Sequence, residues 1–391
     1  MPSSPALSVA SIEMIRTLVG FPTVSRDSNL DLIYFARDHL QSLGADVRLT
    51  LDDAGRKANL FATLGPQDRA GIVLSGHTDV VPVEGQAWDS DPFELVEQDG
   101  RLFGRGTADM KSFIAVALAL APEFACRGLE TPLHFALSYD EEVGCLGVGR
   151  LIADLAHAGI RPRSCIVGEP TLMKPVIAHK GKHSYRCMVH GLSCHSAYAP
   201  QGVNAVEAAA EAVAYLKRMA RRHRDNGPFD RNFDIAHTTV HTGVIRGGSA
   251  LNIVPHECVF DFEFRHLPGD EPEALLREFR QYVEANIEPE MRAVHPQAGF
   301  EIEFLSEIPA LDTGMETEIV ALAQELSGSA GIGKVSFGSE ASQFQRAAIP
   351  TVVCGPGSIE QAHKPNEFVT VDQVMQCEAF MRRLMERICK G

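Results

Sequence analysis

The sequence predicts an α/β protein with a second, smaller domain inserted into the first. From Ala10 to Gly181, helical stretches alternate with short runs of Val, Ile and Leu, which is typical of a layered structure with a largely buried sheet. From Gly181 to about Phe304 the predicted order is βαββαβ, the split βαβ arrangement of ferredoxin-like domains. After roughly Leu305 the first pattern resumes.

The length supports two domains, because 391 residues and 42.5 kDa exceed the usual size of a single hydrophobic core. We expect a discontinuous first domain, residues 1–180 and 306–391, and an inserted domain, residues 181–305.

The periodicity places the elements of the first domain in order. It predicts helices at Ser8 to Val19, Leu30 to Leu43, Met110 to Cys126, Gly147 to Ala158, Met315 to Leu326 and Val371 to Cys389. Apolar runs predict strands at Gly71 to Ser75, Leu133 to Ser138, Cys165 to Gly168 and Thr351 to Cys354.

The inserted segment has its own elements. It predicts strands at Ser184 to His190, His237 to Val244, Glu257 to Arg265 and Phe300 to Phe304, with helices at Asn204 to Arg222 and Glu271 to Asn286. The stretch 258–264 alternates apolar and polar residues, so we expect the two helices to cover only one face of this sheet. The other face, or an edge, is then available to a partner subunit.

Charge and hydropathy exclude some classes of protein. A formal net charge of -15 disfavours nucleic acid and anionic membrane as partners, since both are bound through basic surfaces. The longest uncharged apolar run, 113–121, is far below the roughly 20 residues of a membrane span. The N-terminus indicates an amphipathic helix and no signal peptide. The nine cysteines form no Cys-x-x-Cys pair, which is typical of reduced thiols and predicts a cytoplasmic protein.

Metal-type side chains follow four of the predicted strands. They are His77 and Asp79 after the first strand, Glu141 and Glu142 after the second, Glu169 after the third and His363 after the fourth, while Asp109 lies in the segment 104–111. In open α/β sheets, sites form in the crevice beyond the carboxyl ends of the strands. We therefore expect these side chains to meet at one edge of the sheet.

The charges of this set fit two divalent cations. Asp109, Glu142 and Glu169 supply three negative charges against four positive ones, and a hydroxide supplies the fourth. With one carboxylate shared, two histidines and three carboxylates give each metal three protein ligands, leaving a position open for water. Zinc accepts imidazole and carboxylate together.

Three of the acidic residues in these segments have alternative interpretations. Asp79 lies two residues from His77 in an extended segment, so its carboxylate can hold the second imidazole nitrogen; the alternative is an ordinary surface loop. Neighbouring side chains at a strand end point to opposite sides, which favours Glu142 as a ligand and Glu141 as a general base that passes a proton from the attacking water to the leaving nitrogen. The alternative for both is a solvated acidic loop.

Five further residues are candidates for substrate contacts. His195, in the inserted domain, could hydrogen-bond a developing oxyanion, and Asn252 and Arg265 could bind a substrate carboxylate. Gly355 begins a Gly-Pro-Gly loop that could approach a ligand, and Glu340 could meet an ammonium group. The alternative for each of them is an ordinary surface residue or turn.

As a set, the segments resemble the M20 family of dinuclear zinc amidohydrolases and peptidases. The resemblance runs over nearly the whole chain, and its motifs appear in order at Gly76–Pro82, Trp88–Phe93, Asp109–Lys111, Gly168–Thr171, Ala178–Gly181, Gly338–Ala341 and Gly355–His363. It implies a zinc-peptidase-like catalytic domain with a mixed sheet, and an inserted ferredoxin-like domain that pairs two subunits of a homodimer.

The resemblance also implies roles for individual residues. His77 and Glu169 would hold one metal, Glu142 and His363 the other, and Asp109 would bridge them. Glu141 would be the general acid/base on a water between the metals, and Asp79 would lie behind His77. His195 would enter the partner's site. The implied cofactor is two Zn²⁺ per subunit, with Co²⁺ as a substitute.

Within the family, the motifs are most similar to those of members that hydrolyse N2-acetyl-L-ornithine to acetate and L-ornithine in arginine biosynthesis. The alternative is the same chemistry on another N-acyl amino acid, such as succinyl-diaminopimelate, or on a short peptide. A non-catalytic metal-binding or amino-acid-binding protein is disfavoured, since such a protein has no need of Glu141 as a base.

Overall fold

The computed structural model describes residues 7–389. They divide into two compact units. The first comprises the described residues up to Ala178, Leu311–Gly333 and the residues from Ser339 onward; the second comprises His179–Ala310 and Lys334–Gly338.

The helices and strands, numbered in chain order, have the following bounds. The helices are α1 Val9–Val19, α2 Leu30–Ser42, α3 Lys111–Arg127, α4 Leu146–His157, α5 Ala205–Asn226, α6 Pro272–Asn286, α7 Glu288–Val294, α8 Glu318–Ser327, α9 Ala341–Arg346 and α10 Val371–Ile388. The strands are β1 Asp46–Leu51, β2 Ala58–Leu64, β3 Ile72–His77, β4 Val96–Gln98, β5 Arg101–Phe103, β6 Leu133–Ser138, β7 Ser164–Pro170, β8 Val176–His179, β9 Gly181–His190, β10 Thr239–Gly247, β11 Glu257–His266, β12 Gly299–Ile308, β13 Leu311–Asp312, β14 Gly333–Val335, β15 Thr351–Gly355 and β16 Phe368–Thr370.

A mixed sheet organises the first unit, and its main path runs β1-β2-β6-β3-β7-β15-β8-β13. Strands β6, β3, β7 and β15 are parallel neighbours, and every residue in them is buried. Their continuous apolar runs therefore match strands covered on both faces. The carboxyl ends of these four strands lie at one edge of the sheet, so the predicted α/β class is confirmed.

A small three-stranded sheet in the same unit runs β16-β5-β4. Strand β16 is antiparallel to β5, with Phe368 opposite Phe103. The chain that leaves β5 and the chain that enters β16 therefore lie at the same end of this sheet.

The second unit contains β9, α5, β10, β11, α6 and β12, in the predicted βαββαβ order. Its four strands form an antiparallel sheet in the order β10-β11-β9-β12. Burial alternates along β11, and α5 and α6 both pack against that strand. The helices thus cover one face, as expected. The short helix α7 was not predicted, because seven residues give too short a periodic signal.

Within residues 7–389, no helix is both long and apolar enough to cross a membrane.

Candidate metal centre

The parallel strands carry the predicted ligands to one place. Strand β3 ends at His77, and Glu169 is the penultimate residue of β7. Glu142 lies in the turn after β6, and His363 lies in the loop after β15. Asp109 comes just before α3. Five separate segments of the chain therefore bring these side chains to the same edge of the sheet.

Asp109 lies between the two histidines. Its Oδ1 is 2.9 Å from His77 Nε2, and its Oδ2 is 3.5 Å from His363 Nε2. Glu169 Oε1 lies 3.8 Å from His77 Nε2, and Glu142 Oε2 lies 2.9 Å from His363 Nε2. The five side chains therefore form two His–Glu pairs that share one carboxylate.

Glu141 faces this cluster as well. Its carboxylate oxygen, an imidazole nitrogen of His77 and a carboxylate oxygen of Glu169 all lie within 4.8 Å of one another, and Glu142 lies in a similar group with His77 and Asp109. The expectation that adjacent glutamates point to opposite sides is therefore wrong. The strand ends at Ser138, and Asp140 has φ 56°, so the alternation of a strand no longer applies.

The electrostatics of the cluster require positive charge. Burial raises the pKa of Glu169 well above its ordinary value, and burial also raises the pKa of Glu141, with neighbouring carboxylates adding to both effects. Burial lowers the pKa of His77, but its hydrogen bond with Asp109 and the nearby carboxylates more than offset this and raise it. Hydrogen bonds to Asp109 and Glu142 raise the pKa of His363 to about 10.

So many carboxylates buried together are unfavourable unless cations or protons compensate them. The donor set of imidazole nitrogens and carboxylate oxygens is the one that zinc and similar divalent metals accept. The residues present therefore fit a pair of divalent metals.

Asp79 is placed differently from the prediction. His77 Nδ1 donates to the backbone carbonyl of Asp79 at 2.8 Å, whereas the Asp79 carboxylate lies 3.7 Å from that nitrogen. The carboxylate instead accepts from the backbone N–H groups of Glu141 at 3.1 Å and Glu142 at 3.3 Å, and from Ser25 Oγ at 2.7 Å. Asp79 thus fixes the imidazole through its main chain and the two glutamates through its side chain.

Glu340 does not lie where a substrate would meet it. It is fully buried, and its two oxygens accept hydrogen bonds from Ser75 Oγ at 2.6 Å and Ser138 Oγ at 2.5 Å. These serines lie on β3 and β6, so Glu340 joins two strands of the sheet. This placement argues against the predicted contact with an ammonium group, because both oxygens are already occupied and away from solvent.

Gly355 is buried against the strand that carries Glu169. A Cβ at Gly355 would lie 1.9 Å from the carbonyl oxygen of Gly168, and a Cβ at Gly168 would lie 2.0 Å from the ring of Phe113. Gly355 N–H donates to Thr171 Oγ1 at 3.2 Å. The glycine therefore permits close approach between two strands at the point where Glu169 leaves the sheet.

The remaining predicted residues lie in the second unit. His195 is exposed, and its Nδ1 accepts from the N–H of Ala197 at 3.1 Å, so in the neutral ring the proton is on Nε2. Asn252 is exposed and lies close by in the backbone, since its carbonyl accepts from Ser196 N–H at 3.0 Å. Arg265 Nε donates to Glu263 at 2.8 Å.

The sequence interpretation missed a buried ion pair beside Asp109. Arg105 Nη1 donates to Glu367 Oε2 at 2.6 Å, and each side chain is 1% exposed. A signal was available, since Arg105 lies in the segment that contains Asp109 and Glu367 follows His363 by four positions.

Comparison with known proteins identifies the family to which this chain belongs. The family model of peptidase family M20/M25/M40 matches residues 73–387. The chain is 38% identical to the acetylornithine deacetylase of Myxococcus xanthus, over 96% of this chain and 96% of that protein. It is 33% identical to the acetylornithine deacetylase of Pasteurella multocida, over 97% and 98% of the two chains.

Solved structures share the fold. The aminopeptidase PepT of Bacillus cereus superimposes with a TM-score of 0.73 at 20% identity, covering 96% of this chain and 97% of that chain. An M20 family metallo-carboxypeptidase of Sulfolobus solfataricus superimposes with a TM-score of 0.74 at 15% identity, covering 97% and 99%. At these identities the likeness concerns the fold alone.

Proposed function

This chain belongs to peptidase family M20/M25/M40 and is a metal-dependent amidohydrolase, and from that premise we propose that it removes the acetyl group from N2-acetyl-L-ornithine to give L-ornithine and acetate. The relatives that support this substrate are named acetylornithine deacetylase and are 32–38% identical over nearly the full length of the chain. An enzyme with this activity would act in arginine biosynthesis.

The observation that carries the hydrolytic chemistry is the cluster of buried carboxylates with His77, the exposed His363 and Glu141 beside them. We assign His77 and Glu169 to one metal, His363 and Glu142 to the other, and Asp109 to both, in line with the distances between these groups. Two zinc ions per subunit, for which cobalt could substitute, suit these donors.

Two divalent metals would supply Lewis acidity at the scissile carbonyl and favour deprotonation of the attacking water. Glu141 takes the proton from that water and delivers it to the leaving nitrogen, which must be protonated before the amide can break. Asp79 holds the backbone N–H of Glu141 and so fixes the base relative to His77.

The roles of the second unit are proposed by resemblance. His195 would donate its Nε2 proton to the oxyanion that develops at the carbonyl, and Asn252 and Arg265 would bind the α-carboxylate of the substrate. We propose no contact with substrate for Glu340, while the segment that begins at Gly355 would line the pocket.

We further propose a homodimer formed through the second unit. The edge strand β10 exposes Val244 and Ile245 by 41% and 51%, and an edge strand with exposed apolar residues is suited to pairing with another copy. A cytoplasmic location is supported by the nine cysteines, all of which are free thiols in the structure.

The test is a hydrolysis panel on the zinc-loaded protein, comparing N-acetyl-ornithine with N-succinyl-diaminopimelate, N-acetyl-methionine and dipeptides by release of free amine. We expect kcat/KM for N-acetyl-ornithine to exceed the others by about tenfold or more. A preference for another acyl amino acid or a peptide would overturn the substrate and keep the chemistry. No hydrolysis of any compound would favour a binding protein.

A further inference from the structure

Three segments of the first unit meet beside the proposed metal centre. They are 86–89, 104–109 and 363–367, and the small sheet β16-β5-β4 brings the last two together. The N–H of Gly104 donates to the carbonyl of Glu367 at 3.0 Å. Asn366 joins the first segment to the third, since its side chain accepts from Asp89 N–H at 2.9 Å and donates to Asp89 Oδ2 at 2.8 Å.

Glu367 holds the backbone that carries Asp109. Its Oε1 accepts from the N–H of Ala108 at 2.8 Å and from the N–H of Asp109 at 3.0 Å. Its Oε2 accepts from Arg105 Nη1 at 2.6 Å. A buried carboxylate with three such donors is a rigid anchor, because charged hydrogen bonds away from water are strong and directional.

Arg105 extends the anchor to the other side of the centre. Its Nη1 donates to the carbonyl of Lys364 at 3.3 Å, and its Nη2 donates to Gln86 Oε1 at 2.6 Å. Gln86 in turn donates from Nε2 to the backbone carbonyl of His363 at 3.0 Å. Trp88 packs on the guanidinium, with its ring centroid 5.1 Å from Cζ, and donates to Gln86 at 3.0 Å.

We propose that Glu367, Arg105 and Gln86 form a positioning network that sets the affinity of the chain for its two metals, with Glu367 bonded directly to the backbone of the shared ligand Asp109 and Gln86 bonded directly to the backbone of His363. The hydrogen bonds that join the network to Asp109 and His363 are made to their backbone atoms and not to their coordinating side chains. It acts by holding two backbone segments at a fixed separation.

The proposal rests on metal binding at the centre described above, and it predicts an asymmetry between two variants. Loss of the Glu367 charge frees the backbone of Asp109, so both metals should be bound more weakly. Loss of the Gln86 amide frees the backbone of His363 and leaves both hydrogen bonds from Glu367 to the Asp109 segment in place, so the affinity for only one of the two metals should fall. The loss should be about 10- to 100-fold in dissociation constant, as for other groups that orient metal ligands.

The experiment is a titration of the metal-free full chain with Zn²⁺ against a competing chelator, with circular dichroism to establish that each variant is folded. Glu367→Gln is expected to weaken both zinc equivalents and Gln86→Ala only one. Glu288→Gln is the matched control. Glu288 is also a buried carboxylate, and it accepts from the backbone N–H of Phe300 at 3.0 Å and pairs with Arg292 at 2.7 Å. It lies in the second unit, away from Asp109 and His363 in the first. This variant should bind zinc like the parent.

A folded Glu367→Gln variant that binds both equivalents within about twofold of the parent overturns the proposal. Should that variant fail to fold, Gln86→Ala decides, because Gln86 is only partly buried, and unchanged zinc binding there overturns the proposal as well. Equal weakening in Glu288→Gln would show a general effect of stability and would also overturn it. A parent that binds no zinc contradicts the proposed metal centre itself, a result visible without any variant.

Discussion

The candidate residues of the two units differ in their surroundings. In the first unit, His77, Asp109 and Glu169 are at most 8% exposed in their side chains and lie within a few ångströms of each other, whereas the side chain of His363 is 54% exposed. In the second unit, His195 and Asn252 are exposed. Burying several carboxylates together is unfavourable for folding, so their presence indicates a function, whereas an exposed histidine costs the fold nothing and by itself indicates little.

The largest effect should come from the buried region. We expect Glu141→Gln to retain the metals and to lower kcat by about 10²–10⁴-fold, because the amide cannot accept the proton of the attacking water. Metal content and steady-state kinetics on N-acetyl-ornithine measure this, and Glu97→Gln, on an exposed strand of the small sheet, is the control. Unchanged turnover with full metal content would remove Glu141 from the mechanism.

The second largest effect is expected at the exposed His195, which should contribute to catalysis nearly as much as the buried Glu141. His195→Ala should lower kcat by about 10²–10³-fold if the imidazole stabilises the oxyanion. Mixing it with Glu141→Gln should restore part of the activity through hybrid dimers if His195 acts in the partner's site. Subunit exchange must be demonstrated in parallel. Exchange without recovery would deny His195 a role across the interface.

A smaller effect is expected at Arg265. Replacing it by Ala should raise KM for the acyl amino acid by about 10- to 100-fold with little change in kcat, because a charged hydrogen bond to the carboxylate typically contributes about 1.5–3 kcal/mol. Arg186→Ala is a control on the neighbouring strand β9, where Arg186 pairs with Asp261 at 2.9 Å. An equal rise in KM in both variants would mean a general disturbance of the sheet.

The smallest expected effect is a pH dependence confined to the metal-free protein. The folded pKa values of His363, about 10 against 6.5, and of Glu141 are both raised, so the native state binds more protons than the unfolded state. The stability that these extra protons contribute is fully present at a pH below the pKa values of the unfolded state, and it is lost as the pH rises through the pKa values of the folded state. The melting temperature of the chelated protein should therefore fall by roughly a few degrees between about pH 6.5 and 9.

Zinc-loaded protein should lack most of this decline, because the metals take the place of the protons. Circular dichroism melts with and without chelator measure the difference. Parallel curves would mean that the cluster is not the source of the pH dependence.

The sequence predicted the fold well because buried apolar residues recur along the chain in the pattern of the helix or strand that carries them. Continuous apolar runs identified the parallel strands, and alternation in 258–264 identified a sheet covered on one face. The same reasoning could group His77, Glu169 and His363, because residues that follow parallel strands share an edge.

The details of the site could not be predicted in the same way. The hydrogen bonds of Asp79 depend on the path of the turn after β6, where strand alternation has ended. The burial of Glu340 against two serines and the Arg105–Glu367 pair join positions far apart in the chain. The contacts of Glu340 leave no local pattern. The nearness of Arg105 to Asp109 and of Glu367 to His363 in the sequence marks both residues as candidates, but only the packed structure shows that they pair.

Gly168, near the end of β7, and Gly355, at the end of β15, bear on any attempt to move this site into another protein. At positions 168 and 355 no side chain can be accommodated, since even one carbon would overlap Phe113 or the backbone of the neighbouring strand. A transplant that copied every metal ligand but filled either position would displace Glu169 from its place. The geometry of the centre therefore depends on the absence of a side chain at these two positions as well as on the metal ligands themselves.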